Sequence, residues 1–252
     1  NYIVFEDQKF HLLSPFTDLH ATFEVRTGIF TNIDRILFQL SKEDTIQLYV
    51  RTEIEDIIRE RYPNIDVNPK IFHPGFYLNG SVVFYIENID NIDKRLSYSN
   101  SNGLIAFINE EDVNRDELEN LIKEKSIVAS KSEILSIKYL WDTFDILSDV
   151  IKKDHQILYN YKKGKLHPSC ILIKEEDITI NDNSVISAGT ILDASEGPII
   201  IDEEAILDIG VLIKGPAYIG KNSIINPGAK IRGPVSIGPY SKVGGEIEDS
   251  VI

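Results

Sequence analysis

Arg26 and Gly28 close the stretch LSPFTDLHATFEVRTG at 13–28, which follows the apolar run YIVFE at 2–6. A guanidinium can grip a phosphate through two parallel hydrogen bonds, and a glycine lets backbone amides approach the same anion. The loop after a first strand is where an open α/β sheet places such a site. Arg26 is therefore the leading candidate for a phosphate contact, with Gly28 beside it; the competing reading is a salt bridge to Glu24. Thr17 can hydrogen-bond a ligand or simply hold a turn. His20 can touch a phosphate, but a neutral imidazole is a weak phosphate ligand, and a surface-loop histidine is the plainer reading. Asn79-Gly80 either contacts a ligand from a strand edge or turns a hairpin. Asp193 and Glu196 put two carboxylates near a later corner, where they form a metal site, a solvated acidic corner or an interdomain contact. Cys170 reads as a small apolar side chain and His167 as a cap.

The elements that must position the early candidates read as mixed α/β. Residues 2–6 and 45–50, TIQLYV, are strand-like. Ile33, Ile36, Leu37 and Leu40 form the apolar stripe of a helix. Thr52 and Glu55 have capping-box spacing ahead of a second helix. FYLNGSVVFY at 76–85 is a strand, or a hairpin turning at Asn79-Gly80. Further helices are expected over 112–125 (Leu118, Leu121 and Ile122 on one face) and 144–158 (Leu147, Val150, Ile151 and Leu158 inward). Alternating strands and helices argue for a partly parallel sheet.

The later part carries a period of six. Ile201, Leu207, Ile213, Ile219, Ile225, Ile231, Ile237 and Val243 keep it, preceded by Ile180, Ile186 and Leu192. Small residues follow four places on, as at Ala205, Val211, Ala217, Ser223, Ala229 and Val235. A helix repeats its face at about 3.6 residues and a strand at 2, so neither yields six. A triangular coil does: each six-residue side is a short strand plus a corner, and three sides make a coil. Gly197-Pro198, Gly215-Pro216 and Gly233-Pro234 recur at a constant spacing of three periods, the length of one such coil. Glycine is expected there for a positive φ and proline for its fixed φ. From Leu192 to Ile201 the step is nine, so three residues near Ser195–Pro198 bulge out. A β-sandwich with chance spacing is disfavoured because the large and the small positions keep phase together. The fold class read here is an α/β domain over 1–160 followed by a β-helix over 167–252, with the boundary in the polar stretch Tyr159–Leu166.

Composition excludes other classes. Lys and Arg total 26 against 40 Asp and Glu, a net charge of −14, so nucleic acid and anionic membrane are repelled. No run approaches the ~18 apolar residues of a membrane span, and no signal peptide is read in residues 1–10. The single cysteine excludes an internal disulfide and suits a reducing compartment, so a cytoplasmic location is expected.

The chain resembles the sugar nucleotidyltransferase–acetyltransferase fusions that build nucleotide sugars, in a divergent branch. The resemblance is carried by Leu13, Pro15, Phe16, Thr17, Arg26 and Gly28, then by DASEGPI at 193–199, IKGPAYIG at 213–220 and GAKIRGPVSIGPYSKVGGEIEDSVI at 228–252. It implies a nucleotidyltransferase-like domain, a left-handed β-helix, and transfer of a nucleotide from a nucleoside triphosphate to a sugar 1-phosphate. It also implies Mg²⁺, with Asp193 as a candidate ligand, and a homotrimer. Thr17, His20, Gly28, Asn79 and Gly80 are then nucleotide- or sugar-binding candidates and Arg26 the catalytic one. Two departures stand out. The family's glycine-rich signature is missing, and Leu19-His20-Ala21 occupies the place of Thr-Arg-Pro, so His20 replaces an arginine. Family chains continue well past the position of Ile252, and the acetyl-CoA site is expected in that later part. A non-catalytic sugar or nucleotide binder on a β-helix trimerisation scaffold is the alternative.

Overall fold

The computed structural model describes residues 1–85, 87, 97–127, 130–131, 133–158 and 164–252. They form two compact units, one of Asn1–Val25 with Thr31–Leu140 and one of Arg26–Phe30 with Trp141–Ile252. Residues 159–163 of the expected boundary lie outside the described residues.

In the first unit the strands are β1 Tyr2–Phe5, β2 Ile46–Tyr49, β3 Asp66–Val67, β4 Ile71–Phe72, β5 Gly75–Asn79, β6 Ser97–Asn100, β7 Gly103–Asn109, β8 Val113–Asn114 and β9 Ser130–Lys131. Seven of them make one sheet in the order β3-β2-β1-β5-β7-β6-β9, while β4 and β8 pair separately. β1 lies parallel to both β2 and β5, and β7 runs antiparallel to β5 and β6. Every β1 side chain is buried, because both sheet faces are covered. Tyr2 and Val4 join Ile33 and Ile36 in one core, and Ile3 and Phe5 join Leu118 and Ile122 in another. The helix Asn32–Gln39 brings its stripe there and is capped by Thr31, whose side chain accepts from the Asp34 amide at 3.1 Å. Burial of Ile33 and Ile36 stabilises the unit by roughly 1.5–3 kcal/mol each.

Two local expectations are corrected. Thr52 and Glu55 form no capping box: a 3₁₀ turn, Thr52–Ile54, leads into the helix Glu55–Arg61, and the Glu55 carboxylate binds Asn68 and Arg115 instead. The Asn79-Gly80 pair turns no hairpin, because β5 ends at Asn79 and its partners are β1 and β7. The strand alternative is the one realised, since Tyr2–Phe5 and Gly103–Asn109 offer longer ladders than the next few residues could.

The second unit is a parallel β-helix with three strand stacks. One runs through Val185–Ile186, Ile206–Leu207, Ile224–Ile225 and Lys242–Val243. The second runs through Ile191–Asp193, Leu212–Lys214 and Lys230–Arg232, and the third through Ile178–Ile180, Ile199–Ile201, Ala217–Ile219 and Val235–Ile237. Ile201 pairs with Ile219 and Ile219 with Ile237, so each coil advances the chain by three periods of six. Ile180 pairs with Ile201, a longer step, because the three extra residues near Ser195–Pro198 sit in that coil. The period-six residues Ile201 to Ile237 are no more than 2% exposed, and Ala205, Val211, Ala217, Ser223, Ala229 and Val235 are fully buried. The outward residues Ile200 and Tyr218 are also buried, by Leu147 and Ile151 of the helix Asp142–Ile157 and by Ile29.

The Gly-Pro corners hold for a different reason than φ. None of Gly197, Gly215 and Gly233 has a positive φ. A Cβ on Gly215 would lie 2.2 Å from the Gly197 carbonyl oxygen, and one on Gly233 2.1 Å from that of Pro216. Stacked coils touch backbone to backbone there, so only glycine fits. The β-helix glycines with positive φ fall at a different corner, on Gly189, Gly210, Gly228 and Gly245.

Candidate active site

Parallel pairing of β1 with β2 sets Phe5 opposite Tyr49, so the residues that follow each strand meet. Glu6 leaves β1 and Arg51 follows β2 by two positions. Their Oε1 and Nη1 atoms lie 2.7 Å apart, with the Glu6 side chain 1% exposed. The Glu6 carboxylate also accepts from the Thr22 amide at 3.2 Å and the Arg51 amide at 3.3 Å. Burial raises the Glu6 pKa above its ordinary value, against the pull of Arg51. The Arg51 guanidinium sits 4.4 Å from the Phe10 ring centroid and donates to the carbonyls of Thr17 and His20. One buried ion pair thus fixes the whole loop after β1.

Beyond that pair, at the C-terminal ends of β1 and β2, lies a cavity of about 640 Å³. Its walls carry Glu6, Asp7, Glu53, Asp116 and Glu119 against Lys9, Arg51, Arg115 and Lys123, with Phe10, Tyr49 and Ile122 as the apolar part. Several of the cations are already partnered: Arg51 by Glu6, Arg115 by Glu55 and Lys123 by Glu119. A second, narrow crevice opens between the β1 and β5 ends, where strand order reverses and α/β sheets bind ligands. Asp7, Lys9, Thr22, Ser81 and Asn102 are among the residues that line it, and Asp7 and Lys9 belong to both openings.

The candidates expected from sequence divide between the units. Thr17 is buried beside this site, and its hydroxyl donates to the Phe10 carbonyl at 2.8 Å, which holds the loop. His20 stacks on Phe16 with ring centroids 4.4 Å apart, and its Nδ1 lies 3.0 Å from Arg61 Nη1 and 3.3 Å from Glu24 Oε2. Asn79 uses its whole amide: Nδ2 donates to Asp7 at 2.9 Å and to the Leu104 carbonyl at 2.8 Å, and Oδ1 accepts from Ser81. Gly80 faces Thr22, and a Cβ there would come within 2.9 Å of the Thr22 hydroxyl.

Arg26 and Gly28 belong to the second unit. Arg26 donates to the Ile29 carbonyl and lies 5.5 Å from the Tyr218 ring centroid; the Glu24 carboxylate takes Arg61 instead, at 2.8 Å. Gly28, at φ 142°, accepts from the Ser236 hydroxyl at 2.6 Å. Asp193 sits on the β-helix, where hydrogen bonds from Ser195, aided by the charge of Lys214, hold its carboxyl below the ordinary range. Glu196 pairs with Lys214 at 2.5 Å. Among the described residues, no three His, Cys, Asp or Glu side chains converge as a metal cage. Sequence reasoning missed Glu6, Lys9, Thr22 and Arg51. Opposite charges at the ends of two apolar runs were the available signal, but only strand register makes Glu6 and Arg51 neighbours.

The fold is thus an α/β nucleotidyltransferase-like domain followed by a parallel β-helix. Residues 2–163 match the profile of the sugar nucleotidyl transferase family, and the chain belongs to that family. No curated protein matches the chain. Family membership makes it a transferase whose domain binds nucleotide and sugar phosphate. Among the described residues, no helix is long and apolar enough to cross a membrane.

Proposed function

We propose that the chain transfers a nucleotide from a nucleoside triphosphate to a sugar 1-phosphate in the cavity beyond β1 and β2. A phosphate oxygen of the sugar attacks the α-phosphorus, the α–β phosphorus–oxygen bond breaks, and pyrophosphate leaves with the electron pair. Such chemistry asks the protein mainly for position and for charge on the phosphates. The observation that carries the reading is a 640 Å³ opening, lined by Lys9 and Lys123, at the C-terminal strand ends of a domain in this family. Asp7, Glu53 and Asp116 are among the residues lining the same cavity, and carboxylate is the donor type that Mg²⁺ takes alongside phosphates. The metal, when bound, would neutralise phosphate charge; Lys9 and Lys123 would orient the same groups. The phosphate role of Arg26 and the Mg²⁺ role of Asp193 rest on the family resemblance alone; within the second unit Arg26 donates to the Ile29 carbonyl and Asp193 accepts from the Ser195 amide.

By resemblance, UTP with N-acetylglucosamine 1-phosphate is the first pair to assay. The outward apolar side chains Ile171, Ile206, Ile209 and Leu212, 37–63% exposed, support self-association, with a trimer as the proposed state. Light scattering on the full chain measures it, and a monomer refutes it. The decisive experiment is pyrophosphate release over a panel of nucleoside triphosphates and sugar 1-phosphates with Mg²⁺. Release with one pair supports the transferase. Ligand binding without release favours the second reading, a non-catalytic binder on a β-helix scaffold, for which the prior ion pairing of Arg51, Arg115 and Lys123 speaks.

A further inference from the structure

Thr22 is 1% exposed, and its Oγ1 is the one buried side-chain polar atom among the described residues without a hydrogen-bond partner. Folding strips such a hydroxyl of water and returns nothing, so it calls for an explanation. Thr22 is one of the residues that line the crevice between the β1 and β5 ends. Gly80 packs closely against the Thr22 hydroxyl, since any Cβ there would lie 2.9 Å from Oγ1. The Thr22 backbone is pinned to Glu6, and Glu6 to Arg51. Other polar groups of the crevice are engaged: Ser81 donates to Asn79 at 2.9 Å, Lys9 to the Asn102 carbonyl at 2.5 Å, and the Asn102 amide to the Ser136 carbonyl at 3.0 Å.

The crevice holds about 10 Å³, close to what one water-sized atom needs. A phosphate does not fit in that volume. One uncharged oxygen does fit. Because Asp7 and Lys9 line both openings, a ligand lying in the larger cavity can send that oxygen into the crevice.

We propose that Thr22 is a specificity-determining residue whose hydroxyl hydrogen-bonds a single hydroxyl or carbonyl oxygen of the bound substrate in this crevice. The proposal rests on the cavity being the substrate site. A site built to pair such an oxygen rejects analogues that lack it far better than an apolar pocket of the same shape can.

The test is Thr22→Val in the full chain, an exchange of nearly equal shape. The apo variant is expected to melt higher than the native chain, since the orphaned hydroxyl is gone. Calorimetry then follows UTP, CTP, dUTP and sugar 1-phosphates differing at one hydroxyl or amide, with Thr22→Ser as the rescue. The substrate that supplies the oxygen binds the valine variant at least tenfold more weakly. The analogue lacking that oxygen binds both proteins equally, which tells a base carbonyl from a ribose or sugar hydroxyl. Gly80→Ala, by crowding the Thr22 hydroxyl, weakens the same substrate. The proposal is overturned if the apo valine variant melts lower, if it binds every ligand as the native chain does, or if the native chain binds none. Substrate-selective weakening without pyrophosphate release keeps the Thr22 contact and rejects the transferase. Release with unchanged substrate KM in the valine variant does the opposite.

Discussion

Arg51→Ala removes the only side-chain cation that the structure places against the Glu6 carboxylate, at 2.7 Å among the described residues. Two amide donors remain, from Thr22 and from position 51 itself, and the carboxylate belongs to a side chain only 1% exposed. Breaking one side of a buried pair costs about 3–5 kcal/mol. The variant also loses the guanidinium stacked on Phe10 and the bonds to the Thr17 and His20 carbonyls, which places the cost toward the upper end. The penalty depends on pH in a defined sense. Burial already raises Glu6 above 4.5, and loss of Arg51 raises it further. A carboxyl whose folded value lies above its unfolded one favours the fold while protonated, and this is lost as pH rises through the folded value. The variant's deficit is therefore smallest near pH 4.5, where the lost Phe10, Thr17 and His20 contacts still count, and largest above the raised Glu6 value. Hydrogen exchange of the β1 amides reads the first unit alone. At neutral pH it should speed up about a hundredfold to a few thousandfold, at roughly 1.4 kcal/mol per decade. Glu6→Gln added to Arg51→Ala should recover much of the loss. A cost below about 1 kcal/mol, the same at pH 5 and pH 8, refutes the claim that this pair holds the loop after β1.

Gly215→Ala drives a Cβ to 2.2 Å from the Gly197 carbonyl, so melting of the second unit should fall by an overpacking cost of about 1–3 kcal/mol or more; Gly210→Ala meets nothing within 4 Å and costs only the strain of its φ of 71°, roughly 1–2 kcal/mol. Ile219→Ala, inside the prism, should cost about 2–5 kcal/mol in denaturant unfolding of that unit. Lys221→Ala, in contrast, breaks an exposed 2.7 Å pair with Glu203 and should leave the melting temperature unchanged in 0.15 M salt. Burial, aided by the charges of Glu24 and Asp34 at Tyr62 and of Asp112 at Tyr77, pushes both phenols far above 10. Tyr62→Phe or Tyr77→Phe should therefore leave the phenolate absorbance titration unaltered up to about pH 11.

The β-helix was legible in the chain because its contacts repeat the chain's own order. Ile201, Ile219 and Ile237 meet at a constant interval, so periodicity alone names the partners, and even the nine-residue step after Leu192 announces the longer coil. The amphipathic helix at Ile33 and Ile36 and the strands at 2–5 and 46–49 were legible from local pattern too. The site was not, because its pairs come from distant segments in a register that no local pattern encodes. Glu6 meets Arg51 only once β1 and β2 lie parallel with Phe5 opposite Tyr49. Thr22 becomes an orphan only because β5 ends at Asn79 and sets against its hydroxyl a glycine from a distant part of the chain, which offers it no partner. The Arg26 guanidinium, the most chemically suggestive group in the sequence, is drawn instead to the Ile29 carbonyl and the Tyr218 ring, partners that exist only after the β-helix has stacked. Residue types and spacing thus determined the two folds and the family's kind of chemistry; which polar groups stay available for it was decided by long-range strand order, which satisfies some of them and leaves others bare.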